Sequence, residues 1–360
     1  MNGDWLVYRN VHHAPDETAP WSLAAPPWRR FADLPEDPKL IAADPSGGVP
    51  QDFYYLASKK IIATVNAALR LRRPILVTGA PGTGKTTLAY SIAQELGLGP
   101  VLPWLITSRS TLREGMYEYD VLGRVNDMNL ADRATARATA SGRRSDSHDA
   151  AEFTEAAIDI GRYITLGPLG DALLPRSRPR VLLVDEIDKC DIDLPGDLLH
   201  VFERGWYEIP ELVRERERDV KVRRAGGREI WIRDGQVRCH QFPVIVLTSN
   251  EEREFPPAFR RRCLHVELEL PGPEELRQIA TEKLRTEPGR DPLEPISQKV
   301  KDLIGEFKDN RGDDGRVLAA DQLLNALYLR LPEQGLTDSD FASVREIVLA
   351  SLGQPSGDLS

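Results

Sequence analysis

Cysteine is scarce in this chain, with only Cys190, Cys239 and Cys263 among 360 residues. Their odd number and wide spacing exclude a disulfide scaffold and leave no CxxC pair for zinc. They read as reduced thiols of a cytoplasmic protein. No apolar run approaches the roughly 18 residues that cross a bilayer, so no membrane partner is expected. The opening MNGDWLVYRN lacks the basic-then-apolar pattern of a secretory signal. Positive charge is not in excess either: 47 Lys and Arg against 56 Asp and Glu leave a net charge of −9, which weighs against a general nucleic-acid binder. His12-His13 and His240 have no companion ligands at metal spacing and read as ordinary histidines. What remains, 41% apolar and 29% charged residues, is the composition of a folded globular chain long enough for about two domains.

Residues 1–54 are rich in proline, which blocks helices and sheet ladders. They read as an extended arm anchored by Trp5, Trp21 and Trp28. Helical spacing of Ile61, Ile62, Val65, Ala68 and Leu69 predicts a helix over Leu56–Arg72, ended by Pro74. From there strand-like and helix-like patterns alternate. Strands are expected at Ile75–Val77, Val101–Ile106, Val181–Val184, Val244–Thr248 and Leu264–Leu270, and helices at Lys85–Leu96 and Leu194–Arg204. Continuous Val/Ile/Leu strands between helices indicate an α/β fold with a parallel sheet covered on both faces.

After Pro271-Gly272-Pro273 the pattern becomes purely helical, over 274–286, 295–309, 317–331 and 339–352. A boundary there divides an α/β domain at 55–270 from a small all-helical unit at 271–360. Two segments interrupt the alternation. Residues 107–165 are too long for a simple connection and contain an Ala/Arg/Ser/Asp-biased stretch, Ala131–Ala151, that reads as mobile. Residues 208–240 read as a β-hairpin turning at Ala225-Gly226-Gly227. Within the latter, Arg214–Arg238 carries nine Lys/Arg against five Asp/Glu.

The chemistry concentrates at strand ends. Gly79-Ala80-Pro81-Gly82-Thr83-Gly84-Lys85-Thr86, followed by Thr87, fits GxxxxGK[ST] between a strand and a helix. Such a loop curls backbone N–H groups around phosphates at a helix N-terminus, with the lysine on the β/γ-phosphates and the threonine hydroxyl on Mg²⁺. Val181–Val184 ends in Asp185-Glu186, where the first acid would hold the metal through its water shell and the second polarise the attacking water. Val244–Ser249 ends at Asn250, placed to orient that water. Arg260-Arg261-Arg262 on a short helix is either a solvated face or a cation reaching a neighbour's phosphate. Arg316 opens the third helix of the C-terminal unit, where a cation can fold over the nucleotide.

These features, in this order, resemble the AAA+ ATPases, as do Leu183–Lys189 and the segment 255–271. The run Leu71–Gly79 and Gly167-Pro168-Leu169 are similar to the MoxR group of the helix-2-insert clade, and the two interruptions fall where that clade carries its inserts. The resemblance spans about 55–352. It implies a P-loop fold with a five-stranded parallel sheet sandwiched by helices, followed by a helical lid. It also implies ATP and Mg²⁺, with Lys85 and Thr86 in the phosphate loop and Asp185 and Glu186 as the acidic pair. Asn250 matches the first sensor, Arg262 (or Arg261) the finger arginine, and Arg316 the second sensor. The chain has Arg261-Arg262-Cys263 where MoxR members often have Asp-Arg-Phe. A finger serving a neighbour's site implies a homo-oligomer, most simply a hexameric ring. The expected function is a chaperone-like ATPase remodelling a protein client, which the MoxR likeness extends to a von Willebrand A-domain protein. A nucleic-acid motor or defence-type ATPase, suggested by the basic run around Trp231, and a non-enzymatic nucleotide-gated scaffold are the competing readings.

Overall fold

A computed structural model of the protein describes residues 5–11, 21–29, 40–41, 54–141, 159–215, 218–285, 290–309 and 320–348. Its strands, in chain order, are β1 (Ile75–Thr78), β2 (Leu102–Leu105), β3 (Tyr117–Tyr119), β4 (Ile164–Leu166), β5 (Val181–Asp185), β6 (Trp206–Glu208), β7 (Asp219–Arg224), β8 (Glu229–Arg233), β9 (Gln236–Arg238), β10 (Val244–Ser249) and β11 (Leu264–Glu267). Five form an all-parallel sheet in the order β11-β1-β10-β5-β2. Both faces of its central strands are covered: Leu76, Leu182, Val184, Ile245 and Leu247 enter one apolar core. Their neighbours Ile75, Val77, Val181, Leu183, Val244 and Val246 enter another. This two-sided burial is why these strands are continuously apolar instead of alternating.

The second core is roofed by two helices, α1 (Lys59–Leu71) and α2 (Lys85–Leu96). Helix α1 starts three residues later than the periodicity suggests, because the Ser58 hydroxyl accepts from Ile61 N at 3.3 Å and caps it. Arg72, left-handed at φ 54°, closes it. Helix α2 keeps its expected bounds between two left-handed glycines, Gly84 and Gly97.

The arm is anchored differently from expectation. Tyr8, not a tryptophan, is the fully buried residue, whereas Trp28 is 76% exposed. Trp21 packs only partly buried against the second core. The buried Asn66 side chain grips the arm backbone, accepting from Val7 N at 2.6 Å and Tyr8 N at 3.0 Å and donating to Tyr8 O at 2.7 Å. Glu95 on α2 accepts from Arg9 N and Val11 N.

The two interruptions are not separate appendages. They merge into a second, six-stranded sheet, β3-β4-β7-β8-β9-β6. Here β4, from the first insert, pairs in parallel with β7 of the hairpin, and β6 pairs with β9. Val220, Val222, Ile232 and Val237 turn inward onto the first core. The outer face is electrostatically matched: Lys221 pairs with Glu229, Arg233 with Asp219 and Arg218 with Asp234. Part of the basic run is thus a solvated, internally paired face, while Arg224 pairs with the buried Asp171. The Ala131–Ala151 stretch is helical as far as Ser141, the end of the helix Val121–Ser141; its remainder lies outside the described residues.

Downstream, helices Pro273–Lys283, Ser297–Asp309, Ala320–Arg330 and Asp338–Val348 enclose a third core that includes Leu276, Leu303, Leu327 and Phe341. Among the described residues no helix is long and apolar enough to cross a membrane.

Candidate active site

The C-terminal ends of β1, β5 and β10 meet at one edge of the parallel sheet, where ligands of open α/β folds bind. The loop from Gly79 to Gly84 bridges β1 and α2. Gly79 (φ 140°) lies so close to Leu268 O that a Cβ there would stand 2.5 Å from it, and Gly82 and Gly84 are also at positive φ. This geometry needs glycine. Lys85 folds back under the loop, its Nζ donating to Gly79 O at 2.8 Å and Ala80 O at 2.9 Å. Burial pulls its ammonium below the ordinary lysine range, while Asp188, Asp185, Glu186 and Glu251 push it back up. Thr83 Oγ1 donates to Ala80 O and stiffens the loop.

Asp185, at the tip of β5, accepts from two hydroxyls at one oxygen: Thr86 Oγ1 at 3.0 Å and Thr248 Oγ1 at 2.5 Å. Thr248 in turn accepts from Glu186 N at 2.9 Å. That single threonine locks the acidic pair to β10, and the sequence reading did not pick it out. Its signal was the polar tip Thr248-Ser249-Asn250 on an otherwise apolar buried strand. Glu186 sits in a left-handed conformation (φ 59°, ψ 47°), a strained backbone that clusters at functional sites. Its carboxylate meets Lys189 Nζ at 2.7 Å. Asn250 reaches the same cleft, with its backbone N–H on Asp188 Oδ2 at 2.8 Å.

A cleft of about 380 Å³ is lined by Pro81–Thr87, Asp185, Glu186, Thr248 and Asn250. Tyr54, Tyr55, Leu56, Pro271, Ile279, Lys283 and Leu324 also line it. The C-terminal helices therefore contribute directly, with Lys283 as a cation that the sequence reading missed.

Arg261 and Arg262 do not line this cleft. Arg262 pairs with Glu203 at the end of helix Leu194–Arg204, and Arg261 Nε donates to Pro257 O at 3.4 Å. Arg316 lies outside the described residues.

The family model for the AAA domain (dynein-related subfamily) matches residues 74–263, more than half of the chain. The chain belongs to the AAA domain family. It is an AAA+ ATPase in the general sense, with the parallel sheet of that fold and C-terminal helices consistent with a lid. The match opens at Pro74, just before β1, and closes at Cys263, so it takes in the loop, the acidic pair, Asn250 and the arginine helix. Curated proteins yielded no significant sequence match to this AAA+ chain.

Proposed function

We propose that this AAA+ protein is a MoxR-like ring ATPase that cleaves ATP with Mg²⁺ and spends the energy on remodelling or activating a protein client. One observation carries the reading: the Thr86 hydroxyl and the Asp185 carboxylate converge at 3.0 Å directly beside Glu186. That donor set suits Mg²⁺, which takes one or two protein oxygens and fills its octahedron with phosphate and water. When bound, Mg²⁺ would neutralise charge on the β- and γ-phosphates.

The chain's own residues supply the rest. Backbone N–H groups of the 79–87 loop, all but that of Pro81, which has none, cradle the phosphates, and Lys85 exchanges its loop carbonyls for phosphate oxygens. Glu186 leaves Lys189 and takes a proton from the attacking water, which Asn250 orients. Tyr54, Leu56, Ile279 and Leu324 offer an apolar slot for the base. Arg262, or Arg261 beside it, lies outside the cleft lining of its own chain and acts on a neighbour's γ-phosphate, so the working unit is a homo-oligomer, most simply a hexamer. Arg316 and the lid helices close over the nucleotide. The client, a von Willebrand A-domain protein by family likeness alone, would be driven by the joined second sheet. The three free, buried cysteines support a reducing, cytoplasmic setting.

The test is phosphate release from MgATP over a protein concentration series. Glu186→Gln should lower turnover about 100-fold or more, and Arg262→Ala about 1,000-fold with nucleotide binding intact. Full-speed hydrolysis by a strict monomer at every concentration refutes the ring mechanism. A salt-sensitive stimulation by DNA would favour the nucleic-acid reading instead.

A further inference from the structure

One carboxylate beside the site has no role in the scheme above. Asp188, three residues beyond Asp185, is 4% exposed, a degree of burial that a charged side chain tolerates only with specific partners. Its Oδ2 accepts from the backbone N–H groups of Asn250, at 2.8 Å, and Glu252, at 3.2 Å. Both donors belong to the loop that leaves β10, and between them Glu251 is forced into a left-handed conformation at φ 63°. Glu251 N is held in turn by Ser249 Oγ at 2.9 Å. The loop thus wraps its amides around one buried anion, as backbone nests do.

A second clamp runs the other way. Arg253, from the same loop, donates to Cys190 O, to Cys190 Sγ at 3.2 Å and to Asp191 O at 3.3 Å. The turn after β5 and the loop after β10 therefore hold each other by reciprocal contacts, with the acidic pair and Asn250 at their junction. The other oxygen, Asp188 Oδ1, is buried without a hydrogen-bond partner among the described residues. Asp188 is also the anion that acts most strongly on Lys85, so a charge contribution to the phosphate loop is the alternative that a test must separate.

We infer that Asp188 is a positioning residue for hydrolysis: it folds the 250–252 backbone into the one shape that presents the Asn250 side chain to the attacking water. The inference rests on the nucleotide-hydrolysis reading above. The geometry predicts that Asp188 acts on turnover through Asn250, with its two accepted backbone bonds more important than its charge.

The experiment is a double-mutant cycle on the full chain, reading kcat, KM and MgATP affinity by calorimetry. Asp188→Ala should lower kcat about 10- to 100-fold, the cost of misplacing one orienting group, with MgATP affinity kept within about 3-fold of the parent. Asn250→Ala should lose a similar factor, and the double variant should lose no more than Asn250→Ala alone. Asp188→Asn, whose amide oxygen can accept both backbone bonds, should recover most of the turnover lost in Asp188→Ala. Asp188→Ser, too short to reach both amides, replaces the alanine variant if that one does not fold.

Parental kcat in Asp188→Ala, or multiplicative losses in the double variant, overturn the inference. So does an Asp188→Asn variant as slow as alanine with weakened MgATP binding, which would assign the effect to charge on Lys85. A parent that hydrolyses ATP and a Glu186→Gln variant that does not, alongside a fully active Asp188→Ala, sink this inference while leaving the ATPase reading standing. No hydrolysis by the parent sinks both.

Discussion

Replacing Asn66 by alanine should loosen the N-terminal arm and destabilise the protein by about 1.5–5.5 kcal/mol, a figure built from two kinds of term. Asn66 is fully buried in the middle of α1. Its amide accepts from Val7 N at 2.6 Å and Tyr8 N at 3.0 Å, and donates to Tyr8 O at 2.7 Å and Ile62 O at 2.8 Å. Alanine leaves the N–H and C=O of the buried Tyr8 without partners, and each orphaned group costs about 1–3 kcal/mol. Ile62 O keeps its helical bond, so its loss is small. Alanine's better helix propensity returns about half a kcal/mol. Urea denaturation followed by tryptophan fluorescence reads the change as a shift in midpoint at constant slope. Tryptic cleavage at the exposed Arg9 should accelerate in parallel. The exposed Lys60→Ala on the same helix is the control and should stay within about 0.5 kcal/mol of the parent. If Asn66→Ala does the same, with Arg9 equally resistant, the arm is not held by this amide and the reasoning fails. The consequence reaches the site, because Tyr8 Oη also shares a hydrogen bond with Ser91 at 2.7 Å on α2, the helix that begins at the phosphate loop.

Two further expectations concern the loop and the thiols. Gly79→Ala would need a Cβ 2.5 Å from Leu268 O at a φ of 140°, so the loop must shift. MgATP affinity should fall about tenfold or more, equivalent to about 1.4 kcal/mol, and parental affinity in calorimetry would contradict the close approach. Burial pushes the Cys239 and Cys263 thiols up to about 12, whereas unfolded cysteine titrates near about 8.5. At pH 8 the native protein should therefore resist iodoacetamide at these two sites and react only once unfolded. Because the raised values belong to the folded state, this contribution to stability is complete below about pH 8.5 and is lost as pH rises further. Rapid native alkylation, read by mass spectrometry, would refute the burial.

What could be read along the chain were features whose cause is local. Helix α2 and the helix Leu194–Arg204 keep their expected bounds, because glycines in left-handed geometry end them at Gly97 and Gly205. The central strands were legible because two-sided burial writes itself as unbroken Val/Ile/Leu runs. The 79–87 loop and the Asp185-Glu186 pair were legible as candidates because their residues are chain neighbours at the ends of β1 and β5.

The second sheet was not, since β3, β4, β6 and β9 are three residues long and pair mostly with partners dozens of positions away. Strands this short carry no period to detect. The arm's deepest anchor was not legible for a related reason: Trp21 packs on the core and Trp5 O accepts from Arg70, but Tyr8 is the residue whose backbone meets Asn66. Composition and motif thus determined the family, the glycine-rich loop after β1 and the order of the elements around it, all set by covalent neighbours. Tertiary structure alone decided that the two inserts share a sheet, that Thr248 and Asp188 tie the turn after β5 to β10 and its loop, and that Arg262 pairs with Glu203 outside the cleft. Each of those depends on which distant surfaces come together when apolar area is buried, and that is a property of the whole packing, not of any one segment.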